Sequence, residues 1–267
     1  VLLLQPQKRR LQRVTLQAYQ VEQALEINQK ISLTSEQRHY LHNVLRLEIG
    51  AEFIALDRKG GWWLTKLIGD LDIAEIINKL ENNSELTTQI TLGVAMSKGS
   101  NIESIIRQTT ELGVRQIVPL FSDRTIIKSG TDIGNQKRDR WHRIAEESAE
   151  LSMRTYVPEI HPPQTFKAWL EHLANLPSSM LKYICVTSPN VSHLLVSLQN
   201  SIYSLDLAEN KGQIVIATGC EGGWTTREEE VAIAAGFIPV SLGDRVLSAV
   251  TAPVVALSIV SAFLDTR

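Results

Sequence analysis

The chain has 267 residues, 43% of them hydrophobic, which suffices for one large or two small domains with a sizeable core. A formal net charge of -2 excludes a global attraction to nucleic acid, so any such binding must come from local basic patches. Cys185 and Cys220 are too few for a disulfide framework and lack metal-ligand spacing, and no run reaches about eighteen apolar residues without polar interruption, so the expectation is a cytoplasmic protein without metal or membrane segment.

The opening VLLLQPQ has no basic residues before its apolar run and is not read as a leader. Lys8, Arg9, Arg10 and Arg13 all precede the first acidic residue, Glu22, and form a short cationic arm. From Val14 to Leu80 the pattern predicts short strands over RVTL, EFIALD, GWWLTKLI and DIAEII, with a hairpin turn at Lys59, Gly60 and Gly61. A single helix interrupts them. LTSEQRHYLHNVLRLEIG offers Thr34 or Ser35 as N-cap, Leu41, Val44 and Leu45 at helical spacing, and Gly50 as its stop. Trp62 and Trp63 on a barrel strand are assigned to the core, and His39 with His42 lacks a third ligand for a metal. Residues 1–80 therefore read as a small β-barrel module.

The polar stretch ENNSELTTQ, residues 81–89, is the expected linker, after which residues 90–267 change rhythm to strand, helix, strand. ITLGVAM is an apolar strand; SKGSNIESIIRQTTELG is a helix with Ser100 and Glu103 as capping box and Gly113 as its end; RQIVPLF is the next strand. Helices are predicted from about Lys137 to Met153 and from Thr165 to Ala174, and strands KYICVT and QIVIAT flank a short helix near His193. This is an α/β domain with a largely parallel sheet. Thr225 and Glu228 make a second capping box, FIPVSLG is the last strand, and TAPVVALSIVSAFL is a helix apolar almost all round, with Pro253 in its first turn. Such a helix is expected to bury every side, either under its own domain and against another subunit or wholly inside a single chain.

The turn TGCEGGWT places Gly219, Gly222 and Gly223 between a strand and a helix. A phosphate loop of the Walker type fails because Trp224 stands where its lysine belongs. A dinucleotide fingerprint wants another glycine spacing and further strands after it, although Asp244 follows the next strand. A ligand-free capping turn accounts for Gly236 better than for three crowded glycines. The remaining reading sets residues 218–223 beside residues 242–247, LGDRVL, at the carboxyl ends of neighbouring parallel strands. Bare backbone with Leu242, Val246 and Leu247 suits a neutral base and a thioether, the character of S-adenosylmethionine.

At this point the chain resembles a known family. TGCEGGWTTREEE and LGDRVLSAVTA are similar to the closing motifs of the 16S ribosomal RNA uracil-N3 methyltransferases, with Gly219, Glu221, Gly222, Gly223, Trp224, Thr225 and Glu228 matching the first and Leu242, Gly243, Arg245, Leu247, Thr251 and Ala252 the second. HYLHNVLRLEIG, KGSNIESIIRQTTELGVRQIVPLFSDRT and RWHRIAEESAELSMRTYVPEI resemble earlier family segments in the same order, so the likeness spans nearly the whole chain. It implies a PUA-like barrel followed by a SPOUT-type domain with a carboxyl-terminal trefoil knot, a threading that sequence patterns alone would not predict. It also implies a homodimer acting on N3 of a uridine in 16S ribosomal RNA or the small ribosomal subunit.

Site roles follow from the same resemblance. Thr218, Gly219, Glu221, Gly222, Gly223, Leu242, Gly243, Arg245, Val246 and Leu247 are expected around the cofactor. Arg154 first and Arg124 second are expected to stabilise the anion that forms on the base. Lys8, Arg9, Arg10, Arg13, Arg46 and Lys98 are expected on RNA phosphates. The chain departs from the family pattern at Gln108, Leu151, Cys220, Ser248 and Val250, where lysine, glutamine, proline, arginine and glutamate are usual. A non-catalytic RNA-binding relative and a dinucleotide-dependent oxidoreductase are the alternative functions.

Overall fold

The computed structural model describes residues 2–3, 11–57, 61–69, 72–81, 84–97, 101–125, 134–175, 180–201 and 212–266. Lys8, Arg9, Arg10, Lys59, Gly60, Lys98 and Ser100 lie outside them. The chain forms two compact units: Val1–Glu85 with Ala149–Val157, and Leu86–Ser148 with Pro158–Arg267. The first break thus falls inside the expected linker, and residues 149–157 return to the first unit.

In the first unit the elements are β1 (Leu2–Leu3), β2 (Arg13–Thr15), α1 (Ala18–Ile27), β3 (Lys30–Ser32), α2 (Ser35–His39), β4 (Glu52–Leu56), β5 (Trp62–Ile68) and β6 (Ile73–Glu81). The sheet runs β1-β6-β5-β4-β2, with β3 on β6; its centre is antiparallel and the β1 and β2 pairings are parallel. Strand alternation sends Phe53 and Ala55 into one apolar cluster and Ile54 and Leu56 into another. That two-sided burial explains why EFIAL shows no polar alternation. Trp62 is core, whereas Trp63 is half-buried and donates from Nε1 to Asp57 Oδ2 at 3.0 Å.

Thr34 is the N-cap of α2, its hydroxyl accepting from Gln37 N at 3.2 Å, and the helix continues as a π turn, Tyr40–Val44. Helix α1 corrects the expectation of a single helix among the strands. It buries Val21 and Ala24, and its start is fixed by Gln20 Oε1 accepting from Gln17 N at 2.9 Å. Buried Gln20 also donates to the Ser32 carbonyl at 2.7 Å and so ties α1 to β3.

The second unit contains β7 (Gln89–Ala95), α3 (Asn101–Glu111), β8 (Gln116–Phe121), α4 (Asn135–Leu151, its last turn in the first unit), β9 (Glu159–Ile160), β10 (Gln164–Thr165), α5 (Phe166–Ala174), β11 (Met180–Cys185), α6 (Leu194–Ser201), β12 (Gln213–Thr218), α7 (Thr226–Ala234), β13 (Ile238–Val240) and α8 (Thr251–Asp265). Every pairing in its sheet, ordered β10-β8-β7-β12-β11-β13 with β9 on β8, is parallel. One face of that sheet, through Val118, Leu120, Val215 and Ala217, shares a core with α5 and α7. On the other, α8 packs on β12 and between α3 and α6. Helix α8 buries Pro253, Ala256, Leu257, Val260, Phe263 and Leu264 but leaves Ala252, Val255 and Ile259 half-exposed, so within one chain it is not covered all round.

Gly93 in β7 exists for close approach: a Cβ there would lie 2.3 Å from the Trp169 ring of α5. Gly93→Ala is therefore expected to cost about 1–3 kcal/mol by overpacking, read as a lower urea midpoint with an unchanged denaturant slope.

Candidate active site

Parallel strands present their carboxyl ends on one edge of the second sheet, where ligands of open α/β folds bind. Three loops meet there around a cavity of about 350 Å³: the one after β11, beginning at Cys185, the glycine turn after β12, and residues 241–249 after β13. The last two were expected on neighbouring strands; β11 in fact lies between β12 and β13. The intervening strand brings in a third wall, Val186 to Val191, that the sequence reading did not include. Its local signal was the turn sequence SPN, in which Asn190 takes the left-handed conformation with φ 64°.

Each glycine of the turn has a separate reason. A Cβ on Gly219 would come within 3.2 Å of the Gly223 backbone, one on Gly222 within 3.2 Å of Arg124 Cβ, and Gly223 itself has φ +67°. The turn is thus folded tightly onto itself and onto Arg124, leaving its main chain as a cavity wall. Trp224 closes the floor, donating from Nε1 to the Cys185 carbonyl at 3.2 Å and stacking on Phe166 with ring centroids 4.5 Å apart. The Thr225–Glu228 capping box forms as expected, and Glu228 also accepts from Asp123 N at 2.8 Å. That bond fixes the end of β8 and with it Arg124, whose Nη1 donates to the Gly222 carbonyl at 2.6 Å.

Leu242, Gly243, Arg245, Val246 and Leu247 all line the cavity with Gly219, Gly222 and Gly223. Ser241 Oγ accepts from Gly243 N at 3.0 Å and holds the start of this loop, while Val246 at its tip is 84% exposed. At its end, Ser248 Oγ accepts from Thr251 N at 3.1 Å and the Ser248 carbonyl from Ala252 N at 2.9 Å. Ser248 thus bonds the first two amides of α8 from two residues before its N-cap position, Val250. Burial pushes the Cys185 thiol up to about 12, so it stays protonated and serves as a neutral wall.

Other expected residues stand elsewhere. Thr218 is fully buried behind the turn, with no hydrogen-bond partner for its hydroxyl among the described residues. Glu221 is exposed and accepts from Asn101 Nδ2 at 3.4 Å; neither it nor Thr218 lines the cavity. Arg154 belongs to the first unit, 3% exposed, with Nη2 2.6 Å from Glu85 Oε2. Glu85 Oε1 further accepts from Thr155 N at 2.8 Å and Tyr156 N at 3.2 Å. Burial opposes ionisation of Glu85, but the hydrogen bond and charge of Arg154 and the two amides outweigh it and hold the carboxyl below its ordinary range. Arg154, the first choice for a group on the reacting base, thus makes an ion pair with Glu85 within the first unit.

In the first unit, Arg13 lies over the Trp62 ring at 5.9 Å, and Arg46 is exposed with φ 54° just past the π turn. His42 Nδ1 is 2.8 Å from the Leu47 carbonyl. Among the described residues no three His, Cys, Asp or Glu side chains converge on a metal site, and no helix is long and apolar enough to cross a membrane.

A family model described as an RNA methyltransferase domain matches residues 84–261, and one described as an RNA methyltransferase PUA domain matches residues 33–76. The Ribosomal RNA small subunit methyltransferase E of a Synechocystis strain is 42% identical over 241 residues, covering 90% of this chain and 75% of that protein. The protein of the same name from Bacillus subtilis is 27% identical over 252 residues, covering 92% and 96%. Among solved structures, a Ribosomal RNA small subunit methyltransferase E from Neisseria gonorrhoeae bound to S-adenosyl methionine is similar with a TM-score of 0.77 and 28% identity, over 95% of this chain and 98% of that one.

Proposed function

The chain belongs to the RNA methyltransferase family, and on that premise we propose that it methylates N3 of a uridine in 16S ribosomal RNA with S-adenosylmethionine as donor. The observation that carries this reading is the cavity walled by bare glycine backbone on one side and the residues 242–247 loop on the other. Its donor set fits a nucleoside with a thioether: main-chain amides and carbonyls for polar edges, and Val186, Leu242, Leu247 and Ala252 for apolar surface. The bound cofactor supplies a methyl group already activated by positive charge on sulfur.

What remains for the protein is positioning, exclusion of water, and stabilisation of the charge that uracil acquires as its N3 proton leaves. Arg124 stands at the cavity with its guanidinium held by the Gly222 carbonyl, and it is assigned the charge on the base. Arg154 is assigned an anchoring role for residues 154–156. Arg245 and the backbone of residues 219–223 hold the cofactor; Thr218 supports the turn from behind. Lys8, Arg9, Arg10, Arg13, Arg46 and Lys98 are assigned to RNA phosphates, which position the strand without reading its sequence.

The half-exposed stripe of Ala252, Val255 and Ile259 on α8 fits a second copy of the chain, hence a homodimer. The trefoil knot is part of the same reading; Ser241 bonds to both Ser192 and Leu194, which sets the start of the closing segment beside the β11–α6 loop. Two free cysteines fit a cytoplasmic location. The reading is tested by mapping N3-methyluridine in 16S ribosomal RNA from cells with and without the protein, and by calorimetry with S-adenosylmethionine. Loss of one modified uridine together with cofactor binding is expected; cofactor binding with unchanged RNA would reduce the protein to another methyl acceptor, and RNA binding without cofactor to an assembly factor.

A further inference from the structure

A second cavity, of about 450 Å³, opens at the carboxyl end of β8, between the first turns of α5 and α7. Its wall toward the cofactor cavity is the segment that carries Arg124: Asp123 and Thr125 line this second cavity, whereas Arg124 lines the first. The floor is apolar, made by Phe121, Phe166, Leu170 and Val231, and two cations, Lys167 and Arg227, stand at the rim. Phe166 stacks on Trp224, so one ring pair forms part of the floor of both cavities.

The charges at this rim are unequal in what they have left to bind. Glu228 is buried and accepts from Asp123 N, Thr225 N and, at 2.9 Å, the Thr225 hydroxyl, so its carboxylate is turned to protein donors, whereas Asp123 is exposed and stands 3.2 Å from that same hydroxyl. Lys167 has only a loose exposed contact with Glu171, at 3.8 Å, and Arg227 is exposed with no ion pair among the described residues. Two available cations against one exposed carboxylate, over an apolar floor on which Val231 is the exposed side chain, match a nucleotide, with its base over that floor and its phosphate on Lys167 and Arg227. The cavity is also on the α5 and α7 face of the sheet, whereas the apolar stripe assigned to self-association is on α8, across the sheet. A second copy docked through α8 therefore leaves the cavity open.

Resting on the function proposed above, we infer that this cavity holds a nucleotide flanking the target uridine in the RNA substrate, while the target itself faces Arg124. The common wall would then fix the distance between the two nucleotides. The test is binding of 16S ribosomal RNA by the full chain over a salt series, for the wild type and the K167A/R227A double variant. The variant should bind roughly ten-fold more weakly at low salt, and its slope of log affinity against log salt should be shallower by about 1.4, the contribution of two single-strand phosphates. Calorimetric affinity for S-adenosylmethionine should stay unchanged, which separates this site from the cofactor cavity. A photo-reactive benzophenone side chain at Val231 should cross-link to RNA. Unchanged RNA affinity and slope in the variant, or a cross-link to a second copy of the chain, would overturn the inference. Wild-type protein that binds cofactor and RNA without methylating it would instead overturn the proposed function and leave the nucleotide site to be judged by the salt slope.

Discussion

Arg124→Ala is expected to lower methyl transfer at saturating cofactor and RNA by about 100- to 1000-fold, the usual effect of removing one donor from a developing anion. The loss has two physical parts that kinetics separates. The guanidinium is the cation that the fold holds at the cofactor cavity through the Gly222 carbonyl, so its removal acts on the charged state of the base and lowers kcat. The rest of the side chain braces Gly222, with Cδ 3.3 Å from where a Cβ on that glycine would sit and Nη1 bonded to its carbonyl, so truncation also loosens the glycine turn and should weaken S-adenosylmethionine binding by about 3- to 10-fold, roughly the worth of one neutral hydrogen bond. Arg124→Lys keeps a charge but loses the planar fork that reaches past the carbonyl, and should fall between the two. If kcat is unchanged in Arg124→Ala and only cofactor affinity drops, the residue merely braces the turn, and the anion must be stabilised by another group.

Much of this site was legible because its parts are local. The capping residues Thr34 and Thr225, the strand QIVIAT and the crowded glycines each carry their own signal over a few residues, and the structure places them as read. What local pattern does not encode is strand order: β11 precedes β12 in the chain yet separates it from β13 in the sheet, and only that crossover recruits Val186 to Val191. Helix α1 was hidden for a different reason. Its start lacks the serine, threonine or aspartate that marks a cap, and its buried Gln20 reads as a surface residue until Ser32 and Gln37 are brought to it by folding. Arg154 carries a signal that is local in the motif only, since its partner Glu85 lies 69 residues away and is not readable from the motif.

Glu85→Ala should destabilise the first unit by about 3–5 kcal/mol, because it removes the carboxylate that pairs with the buried Arg154 guanidinium and accepts from two amides. Replacing both partners, as Glu85→Leu with Arg154→Leu, should recover only part of that loss, since the amides of Thr155 and Tyr156 also lose their acceptor. The pH dependence carries the sign of a depressed carboxyl. Folded Glu85 titrates below its unfolded counterpart, whose pKa is about 4.3, so its contribution is fully present above that value. It is lost as acid takes the pH down through the lower folded pKa, because the unfolded chain takes up its proton first. Urea midpoints measured from neutral pH into the carboxylate range should therefore fall more steeply for the wild type than for Glu85→Gln, which has no proton to gain. Parallel curves would mean that Glu85 is not the ionised partner of Arg154. The same variants separate anchoring from chemistry: if Arg154 acts only through Glu85, then Glu85→Gln and Arg154→Gln should reduce methyl transfer in proportion to the folded fraction alone, whereas a drop in kcat confined to Arg154→Gln would return that arginine to the reacting base.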